Sequence, residues 1–459
     1  MLSAKESLGP DGGYYVTHSW LVGNGLVPYR DFPIWHTPGI FYLQRVYSQV
    51  VGETRAGFAA EIWLQHIATL ALFLFVARRY FAASVAACAF CAAVLLGSVS
   101  PLEGFYYVLE PHVNVFAWLS IALALVGAER MNRAGAASIW FWPLAAGLAA
   151  GAAFWIKQQG AVLLPLAAVI PSLFSGRISP RPAVWTAAGF AVFPLSFFVL
   201  HPDAWSHAIR FYLELARYAT NRGPYAIADT WEGLRVWNWL IPLFPIGAAS
   251  AGLLVRRGGT EDRRLGRVAL GVLAAGFLLL VPSFLRPYRH YLLVPLPFAL
   301  LAVLTLLRAL ALLPRRVAVV AGLAATVLAF GFVRPPLLAL RRVLVPGFQE
   351  PTSWEREQKV AAFIARRAGR SPRIYVLPNV PQYYVYLQKR GDMSGYEFLP
   401  PDSDVRRALK SSVPVFIVDR GEADIQHYED LLRSEGYRLT ERFSTASAWL
   451  HTAQKDPAS

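Results

Sequence analysis

Three carboxylates, Asp11, Asp31 and Glu110, stand in segments that also hold His18, Arg30, His36 and His112. A carboxylate can take the proton of a hydroxyl, or hold a divalent cation through hard oxygen ligands. A second set is cationic or polar. Lys157 and Gln158 lie in WIKQQG, and Arg286, Arg289 and His290 lie in RPYRHY. Arginine grips a phosphate through two parallel bonds, whereas lysine acts as a point charge. Both sets lie at the edges of strongly apolar stretches, where ionisable side chains are costly and by default point to function. A phosphate held at a lipid surface beside a carboxylate suits a group transfer in which a lipid phosphate leaves. The cations would meet the charge that develops on it.

The elements that must position these groups are membrane spans. Of the 459 residues, 55% are hydrophobic and only 16% charged, against about 25% charged in ordinary soluble proteins. That excludes a disordered chain, a nucleic-acid-binding domain and a soluble enzyme as readings of the whole. The net charge of +15 does not alter this, because residues 350–459 are almost neutral, with 16 Lys/Arg and 15 Asp/Glu. The excess of base lies in the apolar part, where it flanks spans. A span needs about 20 mostly apolar residues. Ten segments qualify: 58–77, 82–99, 110–128, 138–156, 160–175, 183–200, 236–255, 268–285, 290–308 and 317–334. Cys88 and Cys91 fall inside one of them and read as small packing residues.

Alternate joints between these spans carry 14 arginines in short stretches, among them Arg78, Arg79, Arg130, Arg177, Arg256, Arg267 and Arg308. The remaining joints together with the N-terminal segment carry 11 basic residues over a far longer length. The dense set predicts the cytoplasmic side. Residues 1–57, the 100–112 loop, the Lys157 joint, the 201–235 loop, the 286–290 joint and the tail are then extracytoplasmic. Residues 1–57 would reach that side only behind a preceding span, so one N-terminal span is expected to be missing. The tail, 347–459, differs in kind. It predicts a helix within 347–369, strands at Arg373–Leu377 and Val413–Asp419, helices at Asp404–Lys410 and Asp424–Ser434, and a last strand near Ala448–His451. The expected fold is mainly α: a polytopic transmembrane bundle, 1–346, with 1–57 as a first outer loop, and a small extracytoplasmic α/β domain, 347–459.

The order DGGYY, then GLVPYRDF, then PGIFY resembles the first outer loop of the GT-C class of membrane glycosyltransferases, the mannosyl- and aminoarabinosyl-transferase superfamily. FWIKQQGA and RPYRHYLLVPLP resemble two further patterns of that class. The resemblance implies transfer of a sugar from a polyprenyl-phosphate donor to an envelope lipid, glycan or protein, on the outer side of the cytoplasmic (inner) membrane. It makes Asp11 the base or a metal-linked carboxylate, with Asp31 and Glu110 as further catalytic candidates. Lys157, Gln158, Arg286, Arg289 and His290 would bind the donor phosphate. Many members carry Asp-Glu where this chain has Asp11–Gly12, so no cofactor is required by the pattern. A divalent metal on Asp11 and Glu110 stays an option. Membrane lipids are expected partners and nucleic acid is not.

Each residue also has a plainer reading. Asp11 could cap a helix, and Asp31 could pair with Arg30 or close a turn. Glu110 could pair with a nearby base. Lys157 could snorkel to headgroups, and the Arg286, Arg289 and His290 group could bind lipid headgroups in general. Glu53 and Glu61 read as loop or helix-end charges, and His66 as a hydrogen-bonded bundle residue. Two other functions compete: a flippase of lipid-linked saccharides and a noncatalytic membrane scaffold. A transporter calls for charges near the midplane and repeated halves. Here the charges gather at one face and no repeat is seen.

Overall fold

The computed structural model describes residues 9–82 (except 33, 35 and 53), 86, 108–134, 140–221, 240–285, 289–314, 316, 319, 353–369, 373–377, 390–391, 415–419, 425–445 and 448–455. The chain falls into two compact units. One comprises 1–34, 41–57 and 347–459, and the other 35–40 and 58–346.

The second unit is a helix bundle. It contains α3 (Arg55–Ala77), α4 (Glu110–Ala134), α5 (Phe141–Ile156), α6 (Leu163–Ser175), α7 (Pro180–Leu200), α8 (Ala204–Asn221), α9 (Leu240–Arg257), α10 (Thr260–Leu285) and α11 (Leu296–Leu310). Short 3-10 turns at Gln158–Val162 and Arg289–Leu293 precede α6 and α11. Among the described residues seven helical segments are long and apolar enough to cross a membrane: Ala56–Ala77, Glu110–Arg133, Gln158–Ser175, Pro180–Leu200, Leu240–Arg257, Thr260–Val281 and Tyr291–Leu310. Helix α5, expected as a span over 138–156, is apolar but shorter at 16 residues. The expected spans 82–99 and 317–334 lie outside the described residues.

The helices pack through small residues, as bundles do when lipid removes the hydrophobic incentive to associate. Helix α5 meets α7 most closely. A Cβ at Gly147 would overlap the Thr186 carbonyl, and one at Gly189 would overlap the Leu144 carbonyl. Large side chains fill the centre, with Trp118 of α4 set between Phe73 of α3 and Phe298 of α11. The outward faces of α3, α7 and α10 expose Leu64, Phe75, Leu195, Val199 and Leu278, as lipid-facing helices do. Helix α8 follows α7 closely and exposes Trp205, Ile209 and Leu213 at four-residue spacing, the pattern of a helix lying on a lipid surface.

Two side-chain contacts show that α3 and α4 run parallel. Glu61 meets His112 at their N-terminal ends, and Arg79 meets Glu129 at the other. Seventeen to eighteen residues of helical rise separate these pairs by about 26 Å, close to the roughly 30 Å of a hydrocarbon core. At the Arg79 end the arginines also bind helix termini. The Nε of Arg267 donates to the Leu173 carbonyl at 2.8 Å, where α6 ends, and that of Arg308 to Asp262 at 2.8 Å. A cation on a helix C-terminus meets orphan carbonyls and the negative end of the helix dipole.

The first unit has two parts. At its N-terminal side are α1 (Gly9–Gly23) and most of α2 (Gly39–Val51). His18 of α1 packs among the rings of Tyr14, Phe32 and Phe41, and its Nδ1 lies 2.7 Å from the Tyr14 carbonyl. Burial pushes its pKa down to about 3 against the opposing bond to the Tyr14 carbonyl, so it is neutral. The C-terminal part is α/β. Strands β1 (Arg373–Leu377), β2 (Arg390–Gly391), β3 (Val415–Asp419), β4 (Tyr437–Thr445) and β5 (Ala448–Lys455) form a sheet of order β2-β1-β3-β5-β4. Its first three strands are parallel, and β3-β5-β4 is antiparallel. Helices α12 (Ser353–Ala368) and α13 (Ile425–Ser434) complete it. The expected strands are present and β5 runs four residues further. The expected helix at 404–410 lies outside the described residues. Strand β4 was not expected, because Arg438, Glu441 and Arg442 interrupt its apolar alternation.

Candidate functional site

The site is assembled from three helix ends of the bundle. Helix α4 begins at Glu110, an acid in a first turn, where the dipole favours negative charge. Helix α5 stops at Lys157, which leaves the helical region for an extended conformation (φ −152°, ψ 134°) while its N–H still bonds the Ala153 carbonyl at 3.0 Å. The chain then turns back through the 3-10 segment, with the Gly160 N–H on the Lys157 carbonyl at 2.9 Å. Only glycine fits at 160, because a Cβ there would overlap the Phe154 amide and the Ala153 carbonyl carbon. The WIKQQG pattern is therefore a helix break that presents a lysine. Thr37 secures the same joint, its hydroxyl donating to the Phe154 carbonyl at 2.8 Å.

The lysine is only 4% exposed and Glu110 only 1%. Its ammonium donates to the Glu110 carboxylate and stands 4.0 Å from the centre of the Tyr291 ring. Tyr291 belongs to the second 3-10 turn, within the RPYRHY pattern. That turn is held to α4 by Asn114, whose Nδ2 donates to the Leu293 carbonyl at 2.8 Å. The snorkelling alternative for Lys157 does not describe this arrangement: the charge is buried against a carboxylate and an aromatic face. A desolvated cation over a ring gains about 2 kcal/mol, and its hydrogen bond to a carboxylate is of the strong, charge-assisted kind.

One buried pair was missed by the sequence reading. Glu61, read there as a plain helix-end charge, is fully buried, and its Oε1 lies 2.9 Å from Nε2 of the equally buried His112. Glu61, Gln65 and Thr69 are all buried at four-residue spacing. That polar stripe on an otherwise apolar helix was the available signal. The structure thus brings together Glu110, Lys157 and the turn bearing Arg289 and His290, and adds Tyr291, Glu61 and His112.

The remaining candidates are placed as follows. Asp31 sits in a tight loop over 27–32. Its Oδ2 accepts the Val27 N–H at 2.6 Å, and both its oxygens accept hydrogen bonds from Arg30 at 3.0 and 2.8 Å. The loop also carries Tyr29 at φ +68°, a left-handed conformation costly for such a side chain. Of the two readings of Asp31, this geometry matches turn closure beside Arg30. Asp11 lies in the first turn of α1, with only its backbone described. The same holds for Arg289 and His290. Arg286 lies outside the described residues. Gln158 opens the 3-10 segment beside Lys157 and is partly buried. Among the described residues no three His, Cys, Asp or Glu side chains gather as a metal-ligand group.

No protein-family model matches the chain in sequence, and no curated protein does. Solved structures do match in fold. The apo structure of ArnT from Cupriavidus metallidurans aligns with a TM-score of 0.58 at 16% identity, over 97% of this chain and 94% of that one. The same protein bound to undecaprenyl phosphate gives 0.56 at 14% identity, over 98% and 95%. AglB, the oligosaccharyltransferase of Archaeoglobus fulgidus, in complex with an inhibitory peptide and a dolichol-phosphate, gives 0.53 at 13% identity, over 96% of this chain and 70% of that one. Both are GT-C membrane proteins, and the alignments run through nearly all of this chain. The fold expected from the first-loop, WIKQQG and RPYRHY patterns is the fold found: a polytopic, mainly helical membrane protein with the architecture of the GT-C glycosyltransferases.

Proposed function

We propose that this protein is an integral-membrane glycosyltransferase. It takes a sugar from a polyprenyl-phosphate donor and passes it to an envelope lipid, glycan or protein. The observation that carries the proposal is the buried Lys157 ammonium, held by Glu110 and Tyr291 at one end of the bundle. The fold neighbours support it, since one was solved with undecaprenyl phosphate and another with a dolichol-phosphate. The arginine-dense end of the bundle supports a cytoplasmic placing of that end, in the inner membrane, which puts the Lys157 end outside. The functional division follows the sequence: 1–346 catalytic, with 1–57 as its outer loop, and 347–459 an outer α/β domain.

The reaction is one displacement at the anomeric carbon. The acceptor oxygen loses its proton to a carboxylate and bonds to that carbon. The bond from the carbon to the phosphate oxygen breaks, and the polyprenyl phosphate leaves with the electron pair. Lys157 meets the charge growing on the leaving phosphate, exchanging Glu110 for a phosphate oxygen, with Arg286, Arg289, His290 and Gln158 as further phosphate ligands. Asp11 is the acceptor base on the resemblance alone. Glu110, turned loose as its ammonium engages the donor, is the second carboxylate at the centre. Asp31 shapes the PYRDF loop.

The test is transfer of radiolabel from a panel of polyprenyl-phosphate sugars to envelope extract, in membranes carrying the chain or Asp11→Asn. EDTA and divalent-cation arms read metal use. Transfer by the wild type that vanishes in the variant supports the proposal. Full transfer by a folded Asp11→Asn protein removes Asp11 from the mechanism, and movement of intact donor between leaflets without a new glycosidic product replaces the enzyme with a flippase.

A further inference from the structure

We propose that Glu61 is a positioning residue for the site: through His112 it fixes the first turn of α4, and so the Glu110 carboxylate against Lys157. The inference rests on the reading of Lys157 as the donor-phosphate cation. Glu110 and His112 are two residues apart on one helix, so their side chains leave the axis about 200° apart. The first turn of α4 is therefore held from two sides, by Lys157 at Glu110 and by Glu61 at His112. One residue pair further on, Asn114 ties the same helix to the turn that carries Tyr291. Three polar contacts on alternate residues of α4 thus join α3, the end of α5 and the 3-10 turn around one ammonium.

Stability alone does not account for the Glu61–His112 pair. Both side chains are fully buried. Apolar residues of similar volume at such places are commonly as stable or more so. What an apolar pair cannot supply is a fixed rotation of α4 about its axis, because packing tolerates small slides that a 2.9 Å hydrogen bond does not. A displacement of about 1 Å at a reacting group can cost on the order of a hundredfold in rate.

The experiment uses the full chain in detergent and in membranes, with Glu61→Leu, Glu61→Gln and Glu61→Asp. Gln keeps the acceptor atom at its place, Leu removes it and Asp withdraws it by one methylene. The expected result is a fall in kcat of at least tenfold for Glu61→Leu, with donor KM within threefold of wild type, and near-complete rescue by Glu61→Gln. Equal kcat in Glu61→Leu and wild type overturns the proposal, as does an equal fall in Leu and Gln. If Glu61→Leu does not yield monodisperse protein, Glu61→Asp carries the same comparison. A second arm needs no activity: melting temperatures of Glu61→Leu (Glu61→Asp where Leu does not fold), Lys157→Met and the double variant. Non-additive shifts show the two sites to be coupled, and additive shifts overturn the inference. If the wild type transfers no sugar from any donor, the enzyme reading fails while the melting cycle still decides the coupling.

Discussion

Replacing Lys157 by Met separates what the ammonium does for the fold from what it does for chemistry. Met has a similar length and no charge. The substitution leaves Glu110, 1% exposed, without its ammonium and removes the cation from the Tyr291 ring. Removing one partner of a buried pair costs about 3–5 kcal/mol, because the other charge is left buried and uncompensated. Adding Glu110→Gln removes that charge too, so the double variant should recover most of the lost stability. Transfer should behave in the opposite way. A charge-assisted hydrogen bond to the donor phosphate is worth about 1.5–3 kcal/mol, which is roughly a 10- to 100-fold loss in donor affinity. Loss of a group that meets developing charge lowers kcat by about 10²–10³. The assay is thermal unfolding in detergent beside initial rates of radiolabel transfer, for the wild type, both single variants and the double. The expected result is a double variant that is stable yet inactive. A folded Lys157→Met protein that transfers within threefold of wild type would refute the phosphate role. A double variant no more stable than Lys157→Met would refute the ion-pair reasoning.

Other expectations follow from particular contacts. Gly189→Val should cost about 1–3 kcal/mol and lower the melting temperature, since a side chain there meets the Leu144 carbonyl across the α5–α7 contact; the control, Gly252→Ala, has open space at its Cβ and should be neutral or slightly stabilising. His18, neutral in the fold with a pKa near 3, binds its proton far more readily when unfolded, near 6.5. Stability from the α1 region is therefore full above about pH 6.5 and falls by up to about 1.4 kcal/mol per unit as pH drops toward 3. His18→Phe should flatten that part of the melting-temperature profile, and an unchanged profile would show that His18 does not charge on unfolding. Asp31→Ala should loosen the 27–32 loop through loss of the 2.6 Å bond from the Val27 N–H, raising its proteolytic sensitivity, while Arg30→Ala should do so more weakly. Equal sensitivity of the wild type and Asp31→Ala would remove the turn-closing role.

What was legible in the sequence had a local signal. Eight of the ten expected spans coincide with described helices, because twenty apolar residues announce themselves without reference to the rest of the chain. Strands Arg373–Leu377 and Val415–Asp419 were legible for the same reason, as short apolar runs. The pairings were not. Glu110 meets Lys157 across 47 residues, and Glu61 meets His112 across 51. Nothing in either neighbourhood says which carboxylate takes which partner. Glu61 was read as a plain loop or helix-end charge because one acid near the start of a span looks the same whether it faces headgroups or the bundle. Gln65 and Thr69 on its own face carried the distinction. Asp31 shows the converse. Its motif drew attention, and it bonds to Arg30 and Val27, neither more than four residues away.

The height of the ion pair in the bundle argues for chemistry over transport. A carrier presents its charged site to each side in turn, which puts the site near the bilayer midplane. The Lys157–Glu110 pair stands on the first residue of α4 and on the residue after α5. From Glu110 to Glu129, which pairs with Arg79 at the other end, α4 rises about 28 Å, nearly the full hydrocarbon thickness. The pair is therefore at an edge, where a lipid anchored by its chain brings its own phosphate without crossing. At such an edge an exposed lysine would spend its charge on water and headgroups. Burying it against Glu110 and Tyr291 keeps it dry, so in the proposed reaction an arriving phosphate would meet an ammonium whose field is little screened. The same burial sets a requirement, because the carboxylate that gives up the ammonium cannot remain an unpaired buried anion. It has to take up a proton from outside the displacement, because the acceptor hydroxyl's single proton goes to Asp11 in the proposed reaction.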